Sequence, residues 1–165
     1  MRSLPRLLLI GFAGLALAAP VASQRPDDQI LPKSIELQHQ ARELVSAGKL
    51  EQAEDLLETA LAVDPRNRSA FTDMARVAEK QHLFGKAIRM TNKALLLDPN
   101  DPDAIAVQGE AMVELGATAR AQANLQKLQA ICGAKPCPQV SQLSAAITRG
   151  PTVASAKAPD TPKSN

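Results

Sequence analysis

Apolar residues recur with helical spacing from residue 34 to residue 131. Leu37, Ala41 and Leu44 fall at positions i, i+4 and i+7, so they lie on one face of a helix. Gly48 follows, and glycine is open to the positive φ that a tight turn needs. A second stripe then consists of Ala53, Leu57, Ala60 and Leu61. This pattern predicts two short amphipathic helices joined by a turn.

The pattern returns after 34 residues, which makes the chain a repeat protein. The matching pairs are Ala53 and Ala87, Ala60 and Ala94, Leu61 and Leu95, Asp64 and Asp98, and Pro65 and Pro99. The same shift relates the small residues Ala41, Ala75 and Gly109, where paired helices would approach closely. Three units are predicted, over residues 34–67, 68–101 and 102–135.

The ends of the helices carry their own signals. Asp64 and Pro65 close the first unit, because proline cannot continue a helix. Asn67 and Asp101 stand where N-caps of the next helices are expected. Beyond the third unit, apolar residues at i, i+3, i+6 and i+7 predict a seventh helix over residues 138–148 that caps the last repeat. They are Val140, Leu143, Ala146 and Ile147.

These residues resemble the tetratricopeptide repeat (TPR) family. The 34-residue period and the A-x6-A-L-x-[VL]-D-P endings of the first two units carry the resemblance. His82 replaces the turn glycine of the second unit, and the third unit ends without the proline. The resemblance implies an all-α fold, an α-α superhelix (TPR solenoid) of three helix-turn-helix repeats, to which the capping helix is added.

The resemblance also implies a concave groove that binds a peptide or protein partner, with no catalytic residue, no metal and no cofactor. The residues predicted to bind the partner are Gln38, His39, Arg42, Thr72, Asp73, Arg76, Lys80, Val107 and Glu110. Other groove positions are Val45, Ser46, Glu79, Ala106, Val113 and Glu114. The carboxylate clamp of co-chaperone TPR domains is not expected, because no Asn accompanies the basic groove residues.

Residues 1–23 have the pattern of a secretory signal peptide. Arg2 and Arg6 precede an uncharged apolar run over residues 7–19, and small residues follow. Cleavage is predicted after Ala18 or after Ser23. The alternative, an uncleaved membrane anchor, requires a longer run, since 13 helical residues span only about 20 Å. The resulting expectation is a bacterial protein that is periplasmic or secreted.

Loss of this segment removes two basic residues and leaves equal numbers of basic and acidic residues, because the whole sequence has 19 and 17. A neutral chain indicates neither a nucleic-acid nor an anionic-membrane partner, and we expect a monomer. Residues 24–33 are predicted to be a linker. Residues 149–165 lack large apolar side chains and are predicted to be a disordered tail.

Two cysteines flank a turn between the third unit and the capping helix. Gly133 and Pro136 favour a turn that brings Cys132 and Cys137 together, and an exported protein meets an oxidising environment. An intrachain disulfide is therefore predicted. Redox catalysis would favour two intervening residues, whereas four intervene here.

Three hypotheses of function remain open at this stage. The first is an exported adaptor that holds another protein in the groove. The second is a structural subunit that docks or self-associates through its convex face, its capping helix or an apolar edge at Val113 and Leu125. The third, an enzyme or redox protein built on the cysteines, has the least support, since no catalytic motif accompanies them.

Overall fold

The computed structural model describes residues 29–152, which form seven α-helices and no strand. The helices are α1 (Pro32–Ser46), α2 (Leu50–Val63), α3 (Arg68–Lys80), α4 (Phe84–Leu97), α5 (Pro102–Glu114), α6 (Thr118–Cys132) and α7 (Pro138–Arg149). The predicted all-α repeat fold is confirmed. The predicted signal peptide, residues 24–28 of the linker and residues 153–165 of the tail lie outside the described residues.

Helices pack in consecutive pairs, α1 with α2, α3 with α4 and α5 with α6, and each pair packs on the next. The small residues predicted to allow this packing are fully buried at the same position of each unit. They are Ala53, Ala87 and Ala121 in the second helices and Ala41 and Ala75 in the first helices. The helices therefore form two layers, with α1, α3, α5 and α7 on one side of the solenoid.

The caps follow the prediction from sequence. The side chain of Asn67 accepts a hydrogen bond from the Ala70 backbone N–H, and that of Asp101 accepts from the N–H groups of Asp103 and Ala104. These bonds satisfy N–H groups that have no partner inside the helix. Asp64 is extended and ends α2. The second and third units thus start their first helices at a defined residue, which helps to set the register of the repeats.

The turn inside each unit needs a positive φ. Gly48 and Gly116 both have a φ of 74°, and His82 takes the equivalent place in the second unit with a φ of 59°. A β-carbon is disfavoured in this left-handed region. The second unit therefore keeps the turn of the other two at a cost in conformational energy.

The seventh helix packs on α5 and α6. Leu143 is fully buried and lies so close to α5 that a β-carbon on Gly109 would come within 2.6 Å of its Cδ1 atom. Val113 is fully buried and Leu125 packs into the same cluster. The apolar edge expected at these two residues is therefore absent, because α7 covers it.

A disulfide joins Cys132, at the end of α6, to Cys137, the N-cap of α7. It ties the capping helix to the helix before it. None of the helices of residues 29–152 is long and apolar enough to cross a membrane.

Candidate functional site

The candidate site is the surface formed by the first helices α1, α3, α5 and by α7, called the groove below. Several cavities open on it, and Arg76 lines two of them. The first has a volume of about 250 Å³ and lies between α1 and α3, with Arg42, Val45, Asp73, Arg76 and Lys80 among its lining residues. The second has a volume of about 580 Å³ and lies between α3, α5 and α7. Arg76 and Lys80 line both cavities and separate them.

A polar ladder runs along the groove from α1 to α7. Asp73 of α3 accepts hydrogen bonds at 2.6 Å from Gln38 Nε2 and from Arg42 Nε, both on α1. Arg76 donates to Asp73 Oδ1 at 3.4 Å and to Asp103 Oδ1 of α5 at 2.9 Å. The bonds from Gln38 and Arg42 to Asp73 join the first repeat to the second, and the bond from Arg76 to Asp103 joins the second to the third. The ladder therefore helps to hold the angle between the repeats.

The ladder reaches the capping helix through Gln139, whose Nε2 donates to Asp103 Oδ1 at 3.2 Å. At the other end of the ladder, Asn67 Nδ2 donates to Gln38 Oε1 at 3.2 Å and to Ser34 Oγ at 2.9 Å. Buried polar groups need such partners. The N-cap of α3 is therefore part of the same network as the groove.

The structure separates the predicted partner-binding residues into two groups. Gln38, Thr72 and Asp73 are buried and engaged within the fold. His39 is exposed, with its Nδ1 3.4 Å from a carboxylate oxygen of Glu43, and it lines neither cavity. Arg42 and Arg76 line the groove, but both are salt-bridged to ladder aspartates.

Lys80, Val107 and Glu110 form the second group, which faces the larger cavity. Lys80 is exposed at the end of α3 and has no salt bridge to another residue of the described chain. It is the basic residue of the predicted set that stays available to a ligand. Val107 is buried and supplies an apolar wall.

Glu79 and Glu110 are half-buried in the wall of the larger cavity. Neither carboxylate accepts a hydrogen bond from any of residues 29–152. Burial, and then the negative charge of Glu110, raise the pKa of Glu79 from 4.5 to about 8. Burial raises the pKa of Glu110 as well, against the opposing charges of Arg76 and Arg149. The wall of this cavity thus holds two carboxyl groups whose ionisation burial disfavours.

The sequence placed Glu79 in the groove but gave no reason to single it out. Two features of the cavity could not be predicted from the repeat pattern. One is the pairing of Glu79 with Glu110 across α3 and α5. The other is the contribution of α7, which adds Gln142, Ala145 and Arg149 to the cavity wall.

The segment that follows α7 returns to α5 at one end of the groove. Gly150 has a φ of 73° and turns the chain away from the helix axis. Thr152 then donates two hydrogen bonds to Glu114 Oε2 of α5, from its backbone N–H and from its hydroxyl, each at 2.8 Å. Residues 150–152 therefore bridge from α7 to α5 beside the cavity.

Comparison with known proteins agrees with this architecture. Residues 44–110 match the family model described as tetratricopeptide repeat. No curated protein matches the sequence significantly.

Solved structures with the same fold share little sequence with the chain. The Sgt2 TPR domain of Aspergillus fumigatus has a TM-score of 0.65 and 20% identity, over 82% of this chain and 92% of that one. The first TPR of Spaghetti (RPAP3), bound to an HSP90 peptide, has a TM-score of 0.63 and 19% identity, over 71% and 92%.

A third structure shows a protein segment as the ligand. PcrH in complex with the chaperone binding region of PopD has a TM-score of 0.62 and 18% identity, over 70% of this chain and 88% of that one. At such low sequence identity, the similarity to these three structures shows a shared fold only. Residues 44–110 thus match the tetratricopeptide repeat model, and the described residues have the fold of a tetratricopeptide-repeat solenoid.

Proposed function

We propose that the protein is an exported, non-catalytic adaptor that binds a segment of another protein in the groove. The observation that carries this proposal is the pair of cavities on one face, both lined by Lys80. They offer an exposed cation, apolar wall and carboxyl groups along one continuous path. Such a path suits an extended or helical segment with several side chains, because each cavity takes one part of it.

The ladder supports the same role. A groove that is held in one shape by hydrogen bonds between repeats loses little conformational entropy when it binds. Repeat proteins of this fold bind peptides in the RPAP3 complex and a protein segment in the PcrH complex. The proposed partner is therefore a protein, and the adaptor itself is proposed to be a monomer.

Capture of the partner tests the groove assignment. Lys80→Glu reverses an exposed charge that lines both cavities and has no salt bridge in the described chain. We expect it to weaken capture at least tenfold while leaving the far-UV circular dichroism unchanged. Lys135→Glu, an exposed lysine in the turn between α6 and α7, is the matched control and should leave capture intact. Equal capture by both variants would refute the assignment.

Export is proposed from residues 1–23 alone, which carry the pattern of a signal peptide. Mass spectrometry of the protein recovered from the cell envelope or medium tests it. We expect an N-terminus at Ala19 or Gln24. A chain that keeps Met1 and stays with the cytoplasm would contradict this part of the proposal and leave the groove assignment standing.

A structural role in a larger assembly is the second candidate. Leu96 on α4 is 83% exposed, and Leu97 and Ile131 are also exposed on the second helices. Exposed leucines outside the groove are the kind of residue that an assembly contact buries. Light scattering after size exclusion tests self-association: a dimer that Leu96→Ser converts to a monomer would favour this candidate over a monomeric adaptor.

A further inference from the structure

The capping helix supplies one wall of the larger cavity. Gln142, Ala145, Ala146 and Arg149 of α7 line it, and the other lining residues belong to α3 and α5. The cavity therefore exists only while α7 lies against α5. Whatever holds α7 in place also sets the shape of this part of the groove.

The packing of α7 on its neighbours is sparse. Two of its 12 residues, Leu143 and Ala146, are buried, and Val140 and Ile147 are partly buried in the same cluster. Cys137, the N-cap, makes no side-chain hydrogen bond to the first turn. An isolated helix of about 12 residues is only marginally stable in water. The docked position of α7 therefore depends on its attachment to the rest of the chain as well as on packing.

The attachment at the start of α7 is covalent. The disulfide joins Cys137 to Cys132, the last residue of α6, across a sequence separation of 5. The residues between them, 133–136, are exposed and not helical, so the backbone alone holds the two helix ends loosely. Closing a loop of this length removes entropy from the undocked chain that corresponds to about a 40-fold change in an equilibrium. For a marginally docked helix, this factor decides whether the docked or the undocked state prevails.

The apolar edge of the third unit depends on the same helix. Leu143 of α7 lies against Gly109 and belongs to one apolar cluster with Val113, while Leu125 packs against that cluster. Release of α7 would remove Leu143 from this cluster. Val113 and Leu125 would then lie at an uncovered end of the solenoid.

We propose that the redox state of Cys132 and Cys137 gates the groove: the disulfide seats α7 on α5 and completes the larger cavity, and reduction releases α7. Both cysteines are half-buried and flank an exposed turn, which a disulfide or dithiol reagent can reach. The seating of α7 does not depend on the proposed function, whereas the gain in partner binding rests on it. Together with the proposed export, the gate makes the site complete in an oxidising compartment and incomplete before.

The oxidation is balanced when a disulfide such as oxidised glutathione is the oxidant. One cysteine thiolate attacks the glutathione disulfide, forms a mixed disulfide and releases one glutathione thiolate. The second cysteine thiolate then displaces the other glutathione and closes the bond between Cys132 and Cys137. The protein gives up two electrons and two protons, and the oxidant leaves as two thiols. A dithiol reductant reverses both steps.

Hydrogen exchange of the full chain, followed by mass spectrometry, compares the disulfide and dithiol forms. We expect the amides of α7 to exchange about 40-fold faster in the dithiol form, while those of α2 exchange equally in both. Oxidised glutathione should restore slow exchange in α7. Equal exchange of α7 in the two forms would overturn the proposal. Faster exchange in every helix would overturn it as well, because the disulfide would then stabilise the whole fold rather than seat one helix.

Two variants separate loss of the disulfide from other effects of the reductant. Cys132→Ser/Cys137→Ser should show fast exchange in α7 with or without reductant. Lys135→Glu, in the same exposed turn, is the matched control and should respond to the reductant as the parent chain does. A double variant that keeps the slow exchange of the disulfide form would contradict the proposal.

The consequence for binding is measured with the same capture assay as Lys80→Glu. The double variant should capture the partner several-fold more weakly than the oxidised parent, because only the fraction with α7 docked has the complete site. It should also bind the apolar dye anilinonaphthalene sulfonate more strongly, through the uncovered edge. Equal capture by a variant whose α7 exchanges fast would overturn the gating of the groove, whereas the partner-binding role would still be judged by the Lys80→Glu experiment.

Discussion

Replacement of Glu79 by Gln should stabilise the protein, and only at neutral to alkaline pH. The carboxyl group of Glu79 has a pKa of about 8 in the folded protein and 4.5 as the reference value. An acid whose pKa is raised on folding destabilises the folded state once the unfolded chain ionises. This free-energy cost is absent below the pKa of the unfolded chain and grows as the pH rises from about 4.5 to 8. It reaches its full size above pH 8.

The size of the effect follows from the shift. One pKa unit corresponds to about 1.4 kcal/mol, so the full shift converts to about 5 kcal/mol. Glu79 keeps part of its solvent contact and lines an open cavity, and screening there reduces the value. We therefore expect Glu79→Gln to raise the free energy of unfolding by about 1–2 kcal/mol at about pH 8.5, and to leave it unchanged near pH 4.

Urea unfolding followed by circular dichroism at the two pH values measures this difference. Glu58→Gln is the matched control, because Glu58 is an exposed residue of α2 with no hydrogen bond in the described range. It should change the unfolding free energy by less than about 0.5 kcal/mol at either pH. The reasoning is refuted if Glu79→Gln has the same effect at both pH values, or if it destabilises the protein at high pH.

Three further substitutions test the fold around the groove. Asp73→Asn takes the charged acceptor from the polar ladder and should cost about 2 kcal/mol of unfolding free energy, measured in urea; a change below about 0.5 kcal/mol would show that the ladder adds nothing. Gly109→Ala should cost about 1–3 kcal/mol, because the new β-carbon meets Leu143, and Leu143→Ala in the same chain should relieve part of that strain. His82→Gly should raise the thermal midpoint, with about 0.5–1 kcal/mol of stabilisation, since glycine accepts the positive φ of this turn; a lower midpoint would contradict the strain assigned to that turn.

The fold could be predicted because its determinants repeat along the chain. Ala53, Ala87 and Ala121 occur at one position of each unit, and only small residues allow helices to approach so closely there. Asn67 and Asp101 were identified as caps for a local reason, since a capping side chain bonds to N–H groups two or three residues ahead. Local signals of this kind can be recognised in a single sequence.

The candidate site was only partly predictable. Family positions placed Gln38 and Asp73 in the groove as binding residues, whereas the structure uses them to join α1 to α3. Whether a groove residue faces a ligand or a neighbouring repeat depends on the angle between repeats, and no pattern within one helix encodes that angle. The raised pKa of Glu79 also depends on the packing of helices, because it comes first from burial and then from the charge of Glu110, which lies 31 positions away on another helix.

The central claim is that the groove holds a protein partner. A photo-reactive amino acid placed at Val45, in the smaller cavity, tests it in living cells, with the same residue at the exposed Leu96 as the comparison. We predict one discrete covalent adduct with another protein from position 45 and none from position 96. Adducts from position 96, with none from position 45, would contradict the claim and assign the interaction to the second helices.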